Sequence, residues 1–114
     1  MTGPLGAGKT TFVRGAAEAL GVTEAISSPS FVIGRRYGGR DGDVSHLDLY
    51  RLGSLADEDP SLLDDYLSAD AIAFVEWPQI GMDEIERVAA GNRGRLIRVD
   101  IDFDGADGRK VVID

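Results

Sequence analysis

The stretch Gly3-Pro4-Leu5-Gly6-Ala7-Gly8-Lys9-Thr10 constrains this chain more than any other. It fits the pattern G-x-x-x-x-G-K-S/T. The glycines let the backbone curl until successive N–H groups face one hollow. Directly after it, Phe12, Ala16 and Leu20 lie four apart, as do Val13 and Ala17, so residues 9–20 read as an amphipathic helix stopped by Gly21. That helix aims the positive end of its dipole into the same hollow. The arrangement suits a phosphate chain, with Lys9 reaching the outer phosphates and the Thr10 hydroxyl available to Mg²⁺, a hard cation that takes oxygen ligands. A plain glycine turn ahead of a helix is the alternative, and it leaves the Lys9-Thr10 pair unexplained.

The remaining pattern alternates strands and helices. Residues 22–30 carry the loop signature Ser27-Ser28-Pro29-Ser30. Residues 31–37 and 44–49 read as strands of a hairpin around a turn at 38–43. Asp59-Pro60 reads as a cap and first position of a helix reaching about residue 67. Ala71-Ile72-Ala73-Phe74-Val75 is a continuous apolar run, as expected of a strand buried on both faces. A short helix follows over 82–90. Alternation over 95–103, a turn at 105–108 and an apolar run at 111–113 predict a second hairpin. The expected fold is a single α/β domain over residues 1–114, a mixed sheet flanked by helices of the P-loop NTPase type. In such folds a buried strand leads into the phosphate loop. Only Met1 and Thr2 precede Gly3, so that first strand is expected to be missing, and a longer chain carrying it is expected to bind nucleotide more tightly.

Charge and composition narrow the function. The 114 residues carry a formal net charge of −8, whereas gripping a nucleic-acid duplex requires a basic stripe that displaces counterions. The arginines at 35, 36 and 40 form the one local basic cluster and read as a solvated hairpin face. The absence of cysteine excludes disulfides, thiolate metal sites and cysteine nucleophiles. No apolar run approaches the roughly 20 residues of a membrane span, and the start lacks a signal-peptide pattern; a cytoplasmic protein is expected.

Other polar groups fall where a phosphate site would use them. Glu76 ends the buried apolar run, the position from which a Walker B acid places Mg²⁺ or the attacking water; many strands also end in an acid for no such reason. His46, Asp48 and Tyr50 share one strand face opposite Leu47 and Leu49, which fits either a site or the wet face of an edge strand. A hydroxyl in the Ser28-Pro29-Ser30 segment has the place of a switch that senses phosphate and completes the Mg²⁺ shell, or belongs to a simple turn. His46 by itself reads as a packed, hydrogen-bonded histidine, and Trp77 as a core aromatic.

Four motifs occur in order: Gly-Pro-Leu-Gly-Ala-Gly-Lys-Thr-Thr-Phe at 3–12, Ser-Pro-Ser-Phe at 28–31, His-Leu-Asp-Leu-Tyr-Arg-Leu at 46–52 and Val-Glu-Trp-Pro at 75–78. Together they resemble the bacterial TsaE family of tRNA threonylcarbamoyladenosine biosynthesis. The resemblance implies a Mg²⁺-dependent ATPase, weak alone, that joins a TsaB–TsaD pair and meets tRNA only through that complex. It implies ATP or ADP contacts from Gly3, Leu5, Gly6, Ala7, Gly8, Lys9, Thr10 and Thr11, with Ser30 as the switch hydroxyl and Trp77 beside the site. It further implies Thr10 and Glu76 as the metal-facing residues, Asp48 as the catalytic acid and Glu76 in the Walker-B-like place. Pro4 departs from the family's usual acidic residue, Ser30 from its usual threonine, and the short start from its first strand.

Two rival readings rest on other features. A small-molecule kinase would need a lid bearing arginines, and no insert of that kind is visible. Asp102-Phe103-Asp104-Gly105 fits the D-x-x-G of GTPases, but lies too late in the chain and lacks a following base-reading motif. An inactive nucleotide-binding fragment is the non-enzymatic alternative.

Overall fold

The computed structural model describes residues 1–4, 8–26, 34–49, 61–92, 94–105 and 108–114. In chain order these form helix α1 (Lys9–Ala19), strands β1 (Gly34–Gly38) and β2 (Asp43–Asp48), helix α2 (Ser61–Tyr66) and strand β3 (Ala71–Glu76). A 3₁₀ turn (Pro78–Ile80), helix α3 (Met82–Gly91) and strands β4 (Val99–Asp104) and β5 (Gly108–Ile113) complete them. Among the described residues no helix is long and apolar enough to cross a membrane.

The expected single mixed sheet is two sheets with a narrow seam. β2 lies between β1, antiparallel to it, and β3, parallel to it, while β4 and β5 form an antiparallel hairpin. Met1 and Thr2 fill the seam. On one side the Met1 nitrogen donates to the Val75 carbonyl at 2.6 Å, and the Trp77 N–H donates to the Met1 carbonyl at 3.2 Å. On the other side the Thr2 N–H donates to Val99 at 2.9 Å and the Ile101 N–H to Thr2 at 3.0 Å. The two residues ahead of the glycine-rich loop thus run between β3 and β4, bonded to both.

Strand alternation sorts the side chains into two layers. Val44 and Phe74 turn towards α1, where they meet Ala17, Val22 and Tyr37; Met1, Val13, Val99 and Ile101 continue this layer under the seam. Leu47 and Leu49 turn the other way and pack on Leu63 of α2 and Ile85 of α3, with Ala73, Val75 and Trp77 alongside. The sheet is therefore covered by α1 on one face and by α2 and α3 on the other. Arg36 on β1 is tied down by Asp43 at 2.8 Å, Asp70 at 3.1 Å and the Asp65 carbonyl at 2.7 Å, while Arg35 is exposed as expected of a solvated hairpin face.

Several expected boundaries move. β3 is not buried on both faces along its length: Ile72 is 51% exposed and burial is complete only at Glu76. The reason is that β2 covers one flank of β3 throughout, whereas Met1 reaches only its last residues. β4 begins at Val99 rather than at 95, because β5 offers it partners only from Ile113↔Val99 onward. β5 begins at Gly108 rather than at 111, since Gly105 at φ 73° closes the hairpin early and pulls Arg109 and Lys110 into the ladder. β2 is the central strand of its sheet, not an edge with a wet face; Val44, Ser45, His46 and Leu47 are all buried. The expected cap at 59–60, the strand start at 31–33 and the 27–30 segment lie outside the described residues.

Candidate functional site

The site begins where the glycine-rich loop turns into α1. Gly8 sits at φ 108° and carries no capping side chain. The conformation suits glycine, and among the described residues no side-chain acceptor caps the N–H groups of the first helical turn. Lys9 is buried to 5% exposure. Its Nζ donates to the Gly3 carbonyl at 2.7 Å and to the Pro4 carbonyl at 3.0 Å, and lies 4.6 Å from the centre of the Trp77 ring. The lysine thus clasps the start of its own loop while facing an aromatic surface that favours a cation. Gly3 has a second, steric reason to be glycine: at φ 146° a Cβ there would lie 2.1 Å from the Ile101 carbonyl oxygen.

The acids arrive from the sheet. β2 and β3 run parallel in a register that pairs His46 with Phe74 and Asp48 with Glu76, so the carboxyl ends of both strands meet at the start of α1. The Leu49 N–H donates to the Glu76 carbonyl at 3.1 Å and continues that alignment. Glu76 is 3% exposed. The Thr10 hydroxyl donates to its Oε2 in a long 3.4 Å contact, and His46 Nε2 approaches the same oxygen to 2.5 Å. His46 is fully buried, and its Nδ1 has no partner among the described residues. Trp77, next in sequence, takes the left-handed conformation at φ 59° and ψ 49°, which costs a non-glycine residue about 1–2 kcal/mol. That turn redirects the chain from β3 and lays the indole beside Lys9.

The structure therefore brings Gly3, Lys9, Thr10, Glu76 and Trp77 together, with Asp48 beside Glu76 across the strands. Gly8 shapes the bend, and Thr11 is exposed on the first turn of α1. Leu5, Gly6, Ala7 and Ser30 lie outside the described residues. Sequence reasoning read His46 as a packed or hydrogen-bonded histidine and did not identify Glu76 as its partner. The available signal was its phase: it lies two residues before Asp48, so a parallel partner ending in an acid brings that acid to the same face. Asp102 and Asp104 of the D-x-x-G stretch sit on the β4–β5 hairpin, where the Phe103 N–H donates to Asp102 at 2.8 Å.

The fold and the site define an α/β protein whose polar groups converge where two parallel strands end against a glycine-capped helix. Comparison with known proteins gives the family. The family model "Threonylcarbamoyl adenosine biosynthesis protein TsaE" matches residues 1–111, and the chain belongs to that family. It is 41% identical over 81 residues to the tRNA threonylcarbamoyladenosine biosynthesis protein TsaE of Bacillus subtilis, covering 70% of this chain and 49% of that one. It is 41% identical over 87 residues to the TsaE of Streptomyces coelicolor, covering 75% and 59%. The crystal structure of Bacillus subtilis YdiB aligns at TM-score 0.66 and 30% identity over 96% of this chain and 62% of that one. The matched stretch thus spans about half to three fifths of the length of these relatives.

Proposed function

We propose that this chain is a P-loop ATPase component of tRNA threonylcarbamoyladenosine formation. In this reading it binds ATP or ADP with Mg²⁺, works in the cytoplasm with a TsaB–TsaD-like protein complex, and reaches tRNA only through that complex. The observation that carries the reading is the pairing of the Thr10 hydroxyl with the buried Glu76 carboxylate at the head of a helix that opens with Lys9. The residue set fits the cation. Mg²⁺ is held through one or two carboxylates together with substrate phosphates and water rather than by an all-protein cage. One hydroxyl beside one buried carboxylate matches that pattern, and among the described residues there is no cluster of three acidic or histidine ligands. Bound there, Mg²⁺ would neutralise charge on the phosphate oxygens.

The chain's own groups divide the remaining work. Lys9, held at the loop by two carbonyls, is placed to exchange them for phosphate oxygens. The loop and the first turn of α1 supply N–H donors to anionic oxygen. Asp48 and Glu76, side by side at the strand ends, place carboxylate where a water would be oriented for attack. The support for the pathway is family membership and the similarity to the TsaE proteins of Bacillus subtilis and Streptomyces coelicolor.

Calorimetry with Mg–ATP and Mg–ADP, followed by hydrolysis assays with and without the partner complex, tests this reading. Thr10→Ala should weaken the Mg²⁺-dependent part of binding. Glu76→Gln should leave metal-free nucleotide binding near wild type, weaken the Mg²⁺-dependent part and lower partner-stimulated turnover, since it removes charge with little change in volume. Wild-type stimulated turnover in Glu76→Gln, or no nucleotide binding by the parent chain, would refute it.

A further inference from the structure

Glu76 is a buried acid that meets two side chains among the described residues, Thr10 and His46. A carboxylate at 3% exposure must find donors within the protein or lose its charge. Thr10 supplies one long contact of 3.4 Å, and His46 supplies the short one, 2.5 Å from Nε2. Both fall on Oε2. We infer that His46 is a positioning residue for this site: its Nε2–H holds the Glu76 carboxylate turned towards Thr10, so that hydroxyl and carboxylate form one fixed oxygen pair at the head of α1. The inference rests on the reading of Thr10 and Glu76 given above.

The strand geometry makes the contact diagonal. His46 stands opposite Phe74 and Asp48 stands opposite Glu76 in the parallel register. His46 therefore reaches one step along the sheet face to the acid, beneath the layer that α1 covers. At 0% exposure the ring has no water to exchange for Glu76. A histidine nitrogen must carry a proton to donate to a carboxylate, which assigns the hydrogen to Nε2. Nδ1, without a partner among the described residues, makes no competing bond that would turn the ring. A buried histidine kept only for packing would not need the hydrogen bond that Nε2 makes aimed at the strand-end acid. Outer-shell partners of this kind typically change metal affinity or activity about 10–100-fold when removed.

The chain contains a single histidine, so its imidazole nitrogens can be observed without assignment. Long-range ¹H–¹⁵N spectra of the nucleotide-free protein should show Nε2 protonated and Nδ1 bare, with the Nε2 signal displaced by Glu76→Gln. A proton on Nδ1 with bare Nε2 would overturn the inference. Mg²⁺ titration in the presence of nucleotide gives the second arm. His46→Leu should weaken the Mg²⁺-dependent affinity by about 10–100-fold while leaving metal-free nucleotide binding unchanged. His46→Gln, whose amide N–H reaches about as far as Nε2, should recover most of the loss. Equal losses in both variants that follow their melting temperatures would reduce His46 to packing and overturn the inference. So would a His46→Leu effect that persists undiminished in a Glu76→Gln background. If the parent protein shows no Mg²⁺-dependent nucleotide binding at all, the reading of Thr10 and Glu76 fails instead, and the spectra alone decide whether His46 holds the acid.

Discussion

Gly3→Ala and Gly8→Ala look alike in the sequence and should behave very differently. Both glycines belong to the phosphate-loop pattern, and both have positive φ, 146° and 108°. An alanine at either position bears a backbone cost of about 1–3 kcal/mol. At Gly8 nothing among the described residues lies within 4 Å of the added Cβ, so the cost stops there. At Gly3 the Cβ would lie 2.1 Å from the Ile101 carbonyl oxygen, a backbone atom that cannot swing away. Relief requires the loop and β4 to part, at the expense of the Thr2–Val99 and Ile101–Thr2 hydrogen bonds of 2.9 and 3.0 Å. Each is worth about 0.5–1.5 kcal/mol net. Gly3→Ala should therefore cost about 2–6 kcal/mol and Gly8→Ala about 1–3 kcal/mol. Against a total of roughly 5–15 kcal/mol, the first threatens folding and the second does not. Urea unfolding followed by the fluorescence of the single tryptophan measures both. If Gly8→Ala proves as destabilising as Gly3→Ala, the steric account of Gly3 and the role of the seam are both wrong.

Val13 is fully buried where α1 meets Met1, Val99 and Ile101. Val13→Ala should cost about 2–3 kcal/mol, from lost transfer free energy plus the cavity left under the seam; a shift in the urea midpoint at constant slope checks it. The Asp70 carboxyl is held below its ordinary 3.8, first by the Ser68 hydroxyl at 2.7 Å, then by its own backbone and by Arg36. A depressed folded value means that its contribution is present above the ordinary value and is lost as pH falls through the folded one, so the window lies below about pH 4. Ser68→Ala should raise the Asp70 midpoint in a carboxyl ¹³C titration, and an unmoved midpoint would show that the hydroxyl is not the cause.

Local patterns carried much of the fold and only part of the site. The helix expected over 9–20 appears as Lys9–Ala19, and the run ending in Glu76 appears as a strand, because both follow from short-range periodicity. The seam could not be read this way. Met1 and Thr2 are too few to show alternation, and their importance comes from bonds to residues more than 70 positions away. The same holds for β3, whose apolar run says that it is buried but not which end. Burial is highest at Glu76 because β2, Met1 and the start of α1 converge there. His46 was legible as a polar group on a shared face with Asp48. Its contact with Glu76 needed the parallel register of β2 and β3, a tertiary fact. Trp77 was read as core and, from the resemblance, as the aromatic beside the site; it packs on the cluster that holds Leu47 and Ile85 and also faces Lys9.

The two longest helices act as controls for each other. α3 begins with Asp83 and Glu84 in its first turn, the acids that complement the positive end of a helix dipole. α1 has no acid there; its first residue is Lys9, and Gly8 brings no capping side chain. A cation at that end is unfavourable by about 0.3–1 kcal/mol, and burying it adds desolvation. The Gly3 and Pro4 carbonyls and the Trp77 face offset part of this, yet they concentrate positive charge and N–H donors at one point. α3 shows that the chain places acids in the first turn of a helix where only folding is at stake. The departure at α1 breaks a local rule, and such departures are expected where function rather than stability sets the residue. Anionic oxygen at the head of α1 would remove the inconsistency in one step, satisfying the dipole and the lysine together. The buried Glu76 bars the simplest alternative. Its Oε2 is turned to Thr10 and His46, and the Lys9 ammonium rests instead on the Gly3 and Pro4 carbonyls.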